Sequence, residues 1–147
     1  MIVITGAAGF ISSCLVAALN ERGIERLVLV DDFSREEKEN NWKTKAYAHA
    51  INRDEFPVWF ERNADQVQCL VHLGARTDTT EFDEALLKEL NLDYSKSLWN
   101  TCVKHEIPMI YASSAATYGL GELGYEDRHD VVDDLQPLNP YGVSKNN

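Results

Sequence analysis

Tyr141 and Lys145 stand four residues apart in "YGVSK", so on a helix they share one face with Cβ atoms about 5 to 6 Å apart. A phenol with a pKa near 10 is a poor base at neutral pH, but a neighbouring ammonium stabilises the phenolate and lowers that pKa. Lys145 can also hold a ribose. Upstream, Ser113 and Ser114 close the apolar run "PMIYASS" (108–114). A hydroxyl at the carboxyl end of a strand can hydrogen-bond an oxygen whose carbon is losing hydride, while a nearby base takes the proton. A third constellation lies near the N-terminus in "TGAAGFIS" (5–12). Gly6 and Gly9 occupy two of the three glycine positions of a loop whose backbone N–H groups and helix dipole face a pyrophosphate. The third position is Ser12, whose extra CH₂OH is expected to cost about 1 kcal/mol of packing strain. Asp31 follows some 20 residues beyond the loop, where a carboxylate can accept hydrogen bonds from an adenosine ribose. Asp32 adds a second negative charge, which favours NAD over NADP, whereas Arg35, Lys38 and Arg53 pull toward a 2′-phosphate. These charges leave the choice open.

The elements needed to position these groups can be read around them. "MIVIT" (1–5) is a short β-branched run ended by Gly6, as for a strand buried on both faces. Residues 10–22 place Leu15, Ala18 and Leu19 on one helical face, with Gly23 as a stop signal. "RLVLVDDF" (26–33) is a second strand, which makes a βαβ unit and hence a parallel sheet with a right-handed crossover. Residues 34–66 carry mixed charge, with Trp42, Tyr47 and Phe56 spread along them, and read as a helix or two with one short strand. "VQCLVHLGA" (67–75) is a strand, 83–105 a long helix and 108–114 a further strand. Residues 119–138 form a surface loop with a solvated acidic run, and a helix begins at Pro140. The alternation is α/β throughout, in one domain.

Composition narrows the classes. The chain has 147 residues, 44% hydrophobic and 26% charged, with a net charge of −10. A surface of that sign repels nucleic acid and anionic lipid, so neither is an expected partner. No apolar run approaches the 18 residues of a membrane helix, and the N-terminus lacks the basic stretch and cleavage site of a secretory signal, so a cytoplasmic location is expected. Cys14, Cys69 and Cys102 are three in number and form no CxxC pair, which predicts buried, reduced thiols and no metal site.

"TGAAGFIS", "VDDFS", "YASSAATYG" and "YGVSK" together resemble the extended short-chain dehydrogenase/reductases, the sugar-nucleotide epimerases and dehydratases. Within that family "HLGARTDTTE" (72–81), "YASSAATYG" (111–119) and "PLNPYGVSK" (137–145) are most similar to the branch acting on C6 of ADP-heptose. The resemblance implies a Rossmann-type doubly wound parallel sheet over residues 1–147. It also implies that the chain stops before the last strands and the C-terminal lobe that holds the sugar nucleotide. A fragment inactive alone, with Lys145 frayed at its end and exposed apolar edges that favour a homo-oligomer, is therefore expected.

The implied reaction removes hydride from C6 of an ADP-sugar, passes through a ketone and returns hydride to the other face. By motif position Ser114, Tyr141 and Lys145 are its catalytic residues. Phe10 and Ile11 line the cofactor loop with Gly6 and Gly9. Asp31, Asp32, Lys38 and Arg53 face the adenosine end. Gly74, Ala75, Arg76 and Thr77 pass beneath the cofactor, Asn91 contacts it, and Lys145 holds its ribose. The implied cofactor is NADP, with NAD as the alternative. Ala115, Ala116 and Thr117 stand where a 4,6-dehydratase carries Asp and Glu, which counts against elimination. A UDP-sugar 4-epimerase and a non-catalytic nucleotide-sensing module remain as other readings.

Overall fold

The structure, a computed structural model, describes residues 1–146, which form two compact units. The first comprises Met1–Gly74 and Ser97–Tyr111; the second comprises Ala75–Lys96 and Ala112–Asn147.

The first unit is built on five parallel strands: β1 (Ile2–Thr5), β2 (Leu27–Asp31), β3 (His49–Asn52), β4 (Cys69–His72) and β5 (Met109–Tyr111). Their order is β3-β2-β1-β4-β5, so the chain direction across the sheet reverses between β1 and β4, the place where open α/β sheets bind ligands. Thr5 pairs with Val30 on one side and His72 on the other, which brings the carboxyl ends of the three central strands level. Val3, Ile4, Leu27, Leu29 and Leu70 are closed to solvent, as the continuous β-branched and leucine-rich runs require. Helix α1 (Phe10–Glu21) packs Val16, with Leu15 and Leu19 at its margin, onto Ile4, Leu27, Leu29 and Val71. Gly23, at φ +74°, supplies the left-handed residue that ends it, its N–H returning to the Asn20 carbonyl.

The segment 34–66 resolves into a 3-10 turn (Glu36–Asn41), β3, helix α2 (Phe56–Asn63) and a second 3-10 turn (Ala64–Gln66). Its aromatics explain its composition: Trp42 lies 4.5 Å from Phe33 and 6.2 Å from Tyr47, and α2 buries Phe56 and Phe60, stacked at 5.1 Å.

The second unit holds α3 (Glu84–Leu87), capped by the Asp83 carboxylate that accepts the Leu86 N–H at 3.0 Å. The long helix expected near 83–105 runs without a gap from Glu84 to Lys104, passing through a π-helical turn, Lys88–Asp93, before α4 (Tyr94–Lys104). Past β5 come a 3-10 turn (Ala115–Tyr118), the acidic loop with a further 3-10 turn (His129–Asp134), and α5 (Pro140–Asn146). Gly119 pins that loop: its φ is +59°, and an added Cβ would sit 1.9 Å from the Gln136 carbonyl oxygen.

The three thiols differ from expectation in one respect. Cys102 is buried and Cys69 partly so, but Cys14 is exposed on α1. All three are unpaired, and burial pushes the Cys102 thiol up to about 11. Among the described residues no helix is long and apolar enough to cross a membrane.

Candidate active site

The loop between β1 and α1 is shaped by backbone contact. Gly6 adopts φ +67°, and a Cβ there would lie 2.8 Å from the Gly74 Cα, so the two glycines let the ends of β1 and β4 touch. A Cβ on Gly9 would stand 3.0 Å from the Gly6 oxygen. The expected strain at Ser12 does not appear as a break in the helix. The serine is buried in the first turn of α1, its hydroxyl donating to the Thr5 carbonyl at 3.2 Å. The close backbone approach in this loop is the one between Gly6 and Gly74.

No side chain caps the N-terminus of α1, so its first turn presents N–H groups to an external anion. Phe10 and Ile11 flank that turn at 80% and 70% exposure, an apolar pair turned outward where a core would want it inward.

Asp31 ends β2 with both oxygens engaged: Oδ2 accepts the Ala8 N–H at 2.9 Å and Oδ1 accepts the Asp32 N–H at 2.7 Å. The carboxylate thus ties the glycine loop to β2, and each oxygen keeps a lone pair for a ribose hydroxyl. The hydroxyl and N–H of Ser34 hold Asp32 below the usual carboxylate range, helped by Arg53 and Arg35. Arg53 reaches Asp54 at 3.3 Å, and Lys38 lies half-buried in the 3-10 turn after β2. Sequence reading passed over Thr5 and His72. The Thr5 hydroxyl accepts the Gly74 N–H at 3.0 Å and meets His72 Nδ1 at 2.6 Å, both residues fully buried. A histidine inside the apolar run of β4 was the available signal. An uncapped helix start, a backbone cradle that no Cβ could enter and a carboxylate at the second strand end fit a dinucleotide.

The second unit carries the other set. Ser114 caps the 3-10 turn that follows it: its Oγ accepts the Ala116 N–H at 3.2 Å, which leaves its hydrogen for an external acceptor. Ser113 is exposed. Tyr141 and Lys145 lie on α5, both buried. The helix is held close to the Ser114 turn by Gly142, where a Cβ would stand 2.7 Å from the Ala116 carbonyl oxygen. Lys145 is 7% exposed and its Nζ donates to the Ala112 carbonyl at 2.9 Å; burial pulls its pKa down to about 8. The expectation that Lys145 is frayed is corrected by this packing. Ala75, Arg76 and Thr77 follow β4, with the Arg76 guanidinium against Glu81 at 3.1 Å and Asp78 at 3.5 Å. Asn91, 1% exposed in the π-helical turn, spends its amide on protein groups, accepting the Arg76 N–H at 2.8 Å and donating to the Arg76 carbonyl at 3.1 Å and to Ser144 Oγ at 3.0 Å.

Residues 2–147 match the family model described as the NAD dependent epimerase/dehydratase family. The chain belongs to this family. Two curated relatives are ADP-L-glycero-D-manno-heptose-6-epimerases, from Fusobacterium nucleatum and Nitratidesulfovibrio vulgaris. Each is 44% identical over 99% of this chain, and the match covers 45% and 46% of the relatives. The chain therefore spans about half the length of the curated relatives it matches. Among solved structures, the Helicobacter pylori ADP-L-glycero-D-manno-heptose-6-epimerase superposes with a TM-score of 0.75 at 26% identity, over 98% of this chain and 47% of that one. The Bacillus cereus UDP-glucuronic acid 4-epimerase in complex with NAD gives 0.75 and 26%, over 98% and 48%. These epimerases share the parallel sheet and helices of this family member, the Rossmann-type fold expected from its sequence.

Proposed function

We propose that this chain supplies the dinucleotide-binding and acid/base portion of an epimerase that inverts C6 of an ADP-linked heptose. The observation that carries the reading is the burial of Lys145 one helical turn from Tyr141 on α5, since a lysine is seldom fully buried. The 44% identity to two ADP-heptose 6-epimerases over 99% of the chain supports the substrate class.

When bound, a nicotinamide ring supplies the hydride acceptor and donor for the two half-reactions. The chain's own part is the proton. Tyr141 takes the proton of the substrate hydroxyl as the carbon is oxidised and returns it on reduction. Lys145, with a pKa of about 8, is largely protonated at pH 7, and its charge lowers the cost of the phenolate. Ser114 donates its hydroxyl hydrogen to the same substrate oxygen. Gly6, Gly9, Phe10 and Ile11 hold the pyrophosphate and its surroundings, and Asp31 takes the adenosine ribose. Ala75, Thr77 and Lys145 are assigned to the same cofactor by motif position alone.

In this proposal NAD replaces the NADP that the resemblance implied. Asp31 and Asp32 set two carboxylates where a 2′-phosphate would sit, and Ser34 keeps Asp32 ionised. Lys38 and Arg53 remain as the opposing cations.

Substrate positioning depends on binding energy from remote parts of the sugar nucleotide. We assign that role to residues outside these 147, so the chain alone is expected to bind dinucleotide without turnover. Self-association is proposed through the edge strand β5, where Ile110 is exposed, and light scattering tests it.

The deciding experiment incubates a full-length polypeptide carrying these 147 residues with NAD and ADP-heptose and follows the C6 configuration by proton NMR. Inversion at C6 supports the proposal. Inversion of a UDP-hexose at C4 instead would transfer the reading to a 4-epimerase, and dinucleotide binding with no turnover of either would make this a binding module.

A further inference from the structure

The Asn91 amide sits at the middle of a buried chain of hydrogen bonds. On one side its Oδ1 and Nδ2 clasp the N–H and carbonyl of Arg76. On the other, Nδ2 donates to Ser144 Oγ at 3.0 Å, and that hydroxyl donates onward to the Tyr141 carbonyl at 2.7 Å. Both amide hydrogens are used, and so is the hydroxyl hydrogen. Asn91 and Ser144 are both closed to solvent, so water cannot substitute for either partner. Asn91 reaches this position from a π-helical turn, an irregularity that costs helix stability and is frequent at functional sites.

The other end of the chain is α5, seven residues long. A helix of that length has no stability of its own in water, so its rotation about its axis is set by what it touches. Gly142 fixes how near α5 lies to the Ser114 turn, but a glycine contact is smooth and does not fix rotation. Ser144, between Tyr141 and Lys145, supplies a directional bond that does.

We propose that Ser144 is a positioning residue: held by Asn91, it fixes the rotation of α5 and thereby the placement of the Tyr141 hydroxyl and the Lys145 amine. The inference rests on the reading of Tyr141 and Lys145 as the reactive pair. A methyl at this position would leave the volume nearly unchanged but free one Asn91 hydrogen in a dry site, and α5 would turn to relieve it.

The test is carried out on this chain and reads the Lys145 amine directly, with no turnover involved. ¹³Cε-lysine NMR titration follows Lys145, assigned by the signal lost in Lys145→Gln, in the parent and in Ser144→Ala, Ser144→Thr and Ser144→Cys, each checked for folding by circular dichroism. Rotation of α5 withdraws Lys145 from its buried position, so its titration in Ser144→Ala rises by about one pH unit or more. Ser144→Thr keeps the hydroxyl and restores the parent value, and the near-isosteric Ser144→Cys falls between. If Ser144→Ala does not fold, the comparison of Ser144→Cys with Ser144→Thr decides. Folded Ala or Cys variants with Lys145 titrating as in the parent would overturn the proposal. Because no step depends on catalysis, a negative result here is distinct from failure of the functional reading, which is judged by sugar inversion alone.

Discussion

In the sheet unit the large side chains sealed from solvent are mostly apolar, among them Val3, Ile4, Val16, Leu27, Val28, Leu29, Leu70, Phe56 and Phe60, with the buried polar groups Thr5, Ser12 and His72 near the carboxyl ends of β1 and β4. In the unit that carries Ser114, Tyr141 and Lys145, Leu87 is the one large aliphatic side chain sealed in this way among the described residues; around it lie buried Asn91, Thr117, Ser144 and Lys145. Apolar burial is non-directional and scales with area, so the first unit is held by volume. Buried polar groups must each find a partner, so the second is held by particular atoms. A scaffold can tolerate many fillings of the same volume. The pair proposed to react, Tyr141 and Lys145, lies in the hydrogen-bonded unit, where a rotation would displace it.

This contrast predicts where changes hurt most. Phe60→Ala empties a stacked position under the sheet and should cost about 3–5 kcal/mol in urea denaturation of the chain. A cost below about 1 kcal/mol would mean the sheet unit is not held by volume.

A smaller effect is expected from pH. The folded Lys145 has a pKa of about 8 against an ordinary 10.5, so between these values the unfolded chain binds a proton that the folded chain does not. Stability therefore rises as pH increases from about 8 toward 10.5, and the burial penalty is fully present below about 8. The gain should be about 2 kcal/mol between pH 8 and 10, measured as the difference between the parent and Lys145→Met, which removes the charge and keeps the bulk. Identical pH dependence in the two proteins would place Lys145 in water.

The smallest change is expected at the surface of the sheet unit. Asp32→Asn removes one of two carboxylates and should move dinucleotide preference toward NADP by roughly threefold to tenfold, as read by calorimetric titration of both cofactors. A shift toward NAD would show that Asp32 does not oppose a 2′-phosphate.

The same contrast explains what the sequence made legible. "MIVIT", "LVLV" and "VQCLVH" announced the parallel sheet because volume-held strands are written as continuous apolar runs. The glycine loop and Asp31 were readable because backbone approach demands glycine and a strand end demands little else. Residues 34–66 were harder, since β3 is only half-buried and its sequence does not alternate cleanly. The π-helical turn was invisible, since helical periodicity alone does not reveal one extra residue per turn. Asn91 did leave a trace, a polar residue in the stripe Leu87, Asn91, Leu98, Cys102. Ser144 left none, because its role depends on an atom 53 residues away in the chain. Cys14 was misread as buried: its apolar neighbours face the sheet while it faces solvent.

The claim on which the account turns is that Tyr141 moves the proton. Tyr141→Phe keeps the ring that fills its buried position and removes only the hydroxyl. In a full-length polypeptide carrying these residues, with NAD and ADP-heptose, and with C6 followed by proton NMR, the account predicts turnover lowered by at least about a hundredfold while calorimetric affinity for NAD is unchanged. Turnover within about twofold of the parent would contradict it and remove Tyr141 from the chemistry.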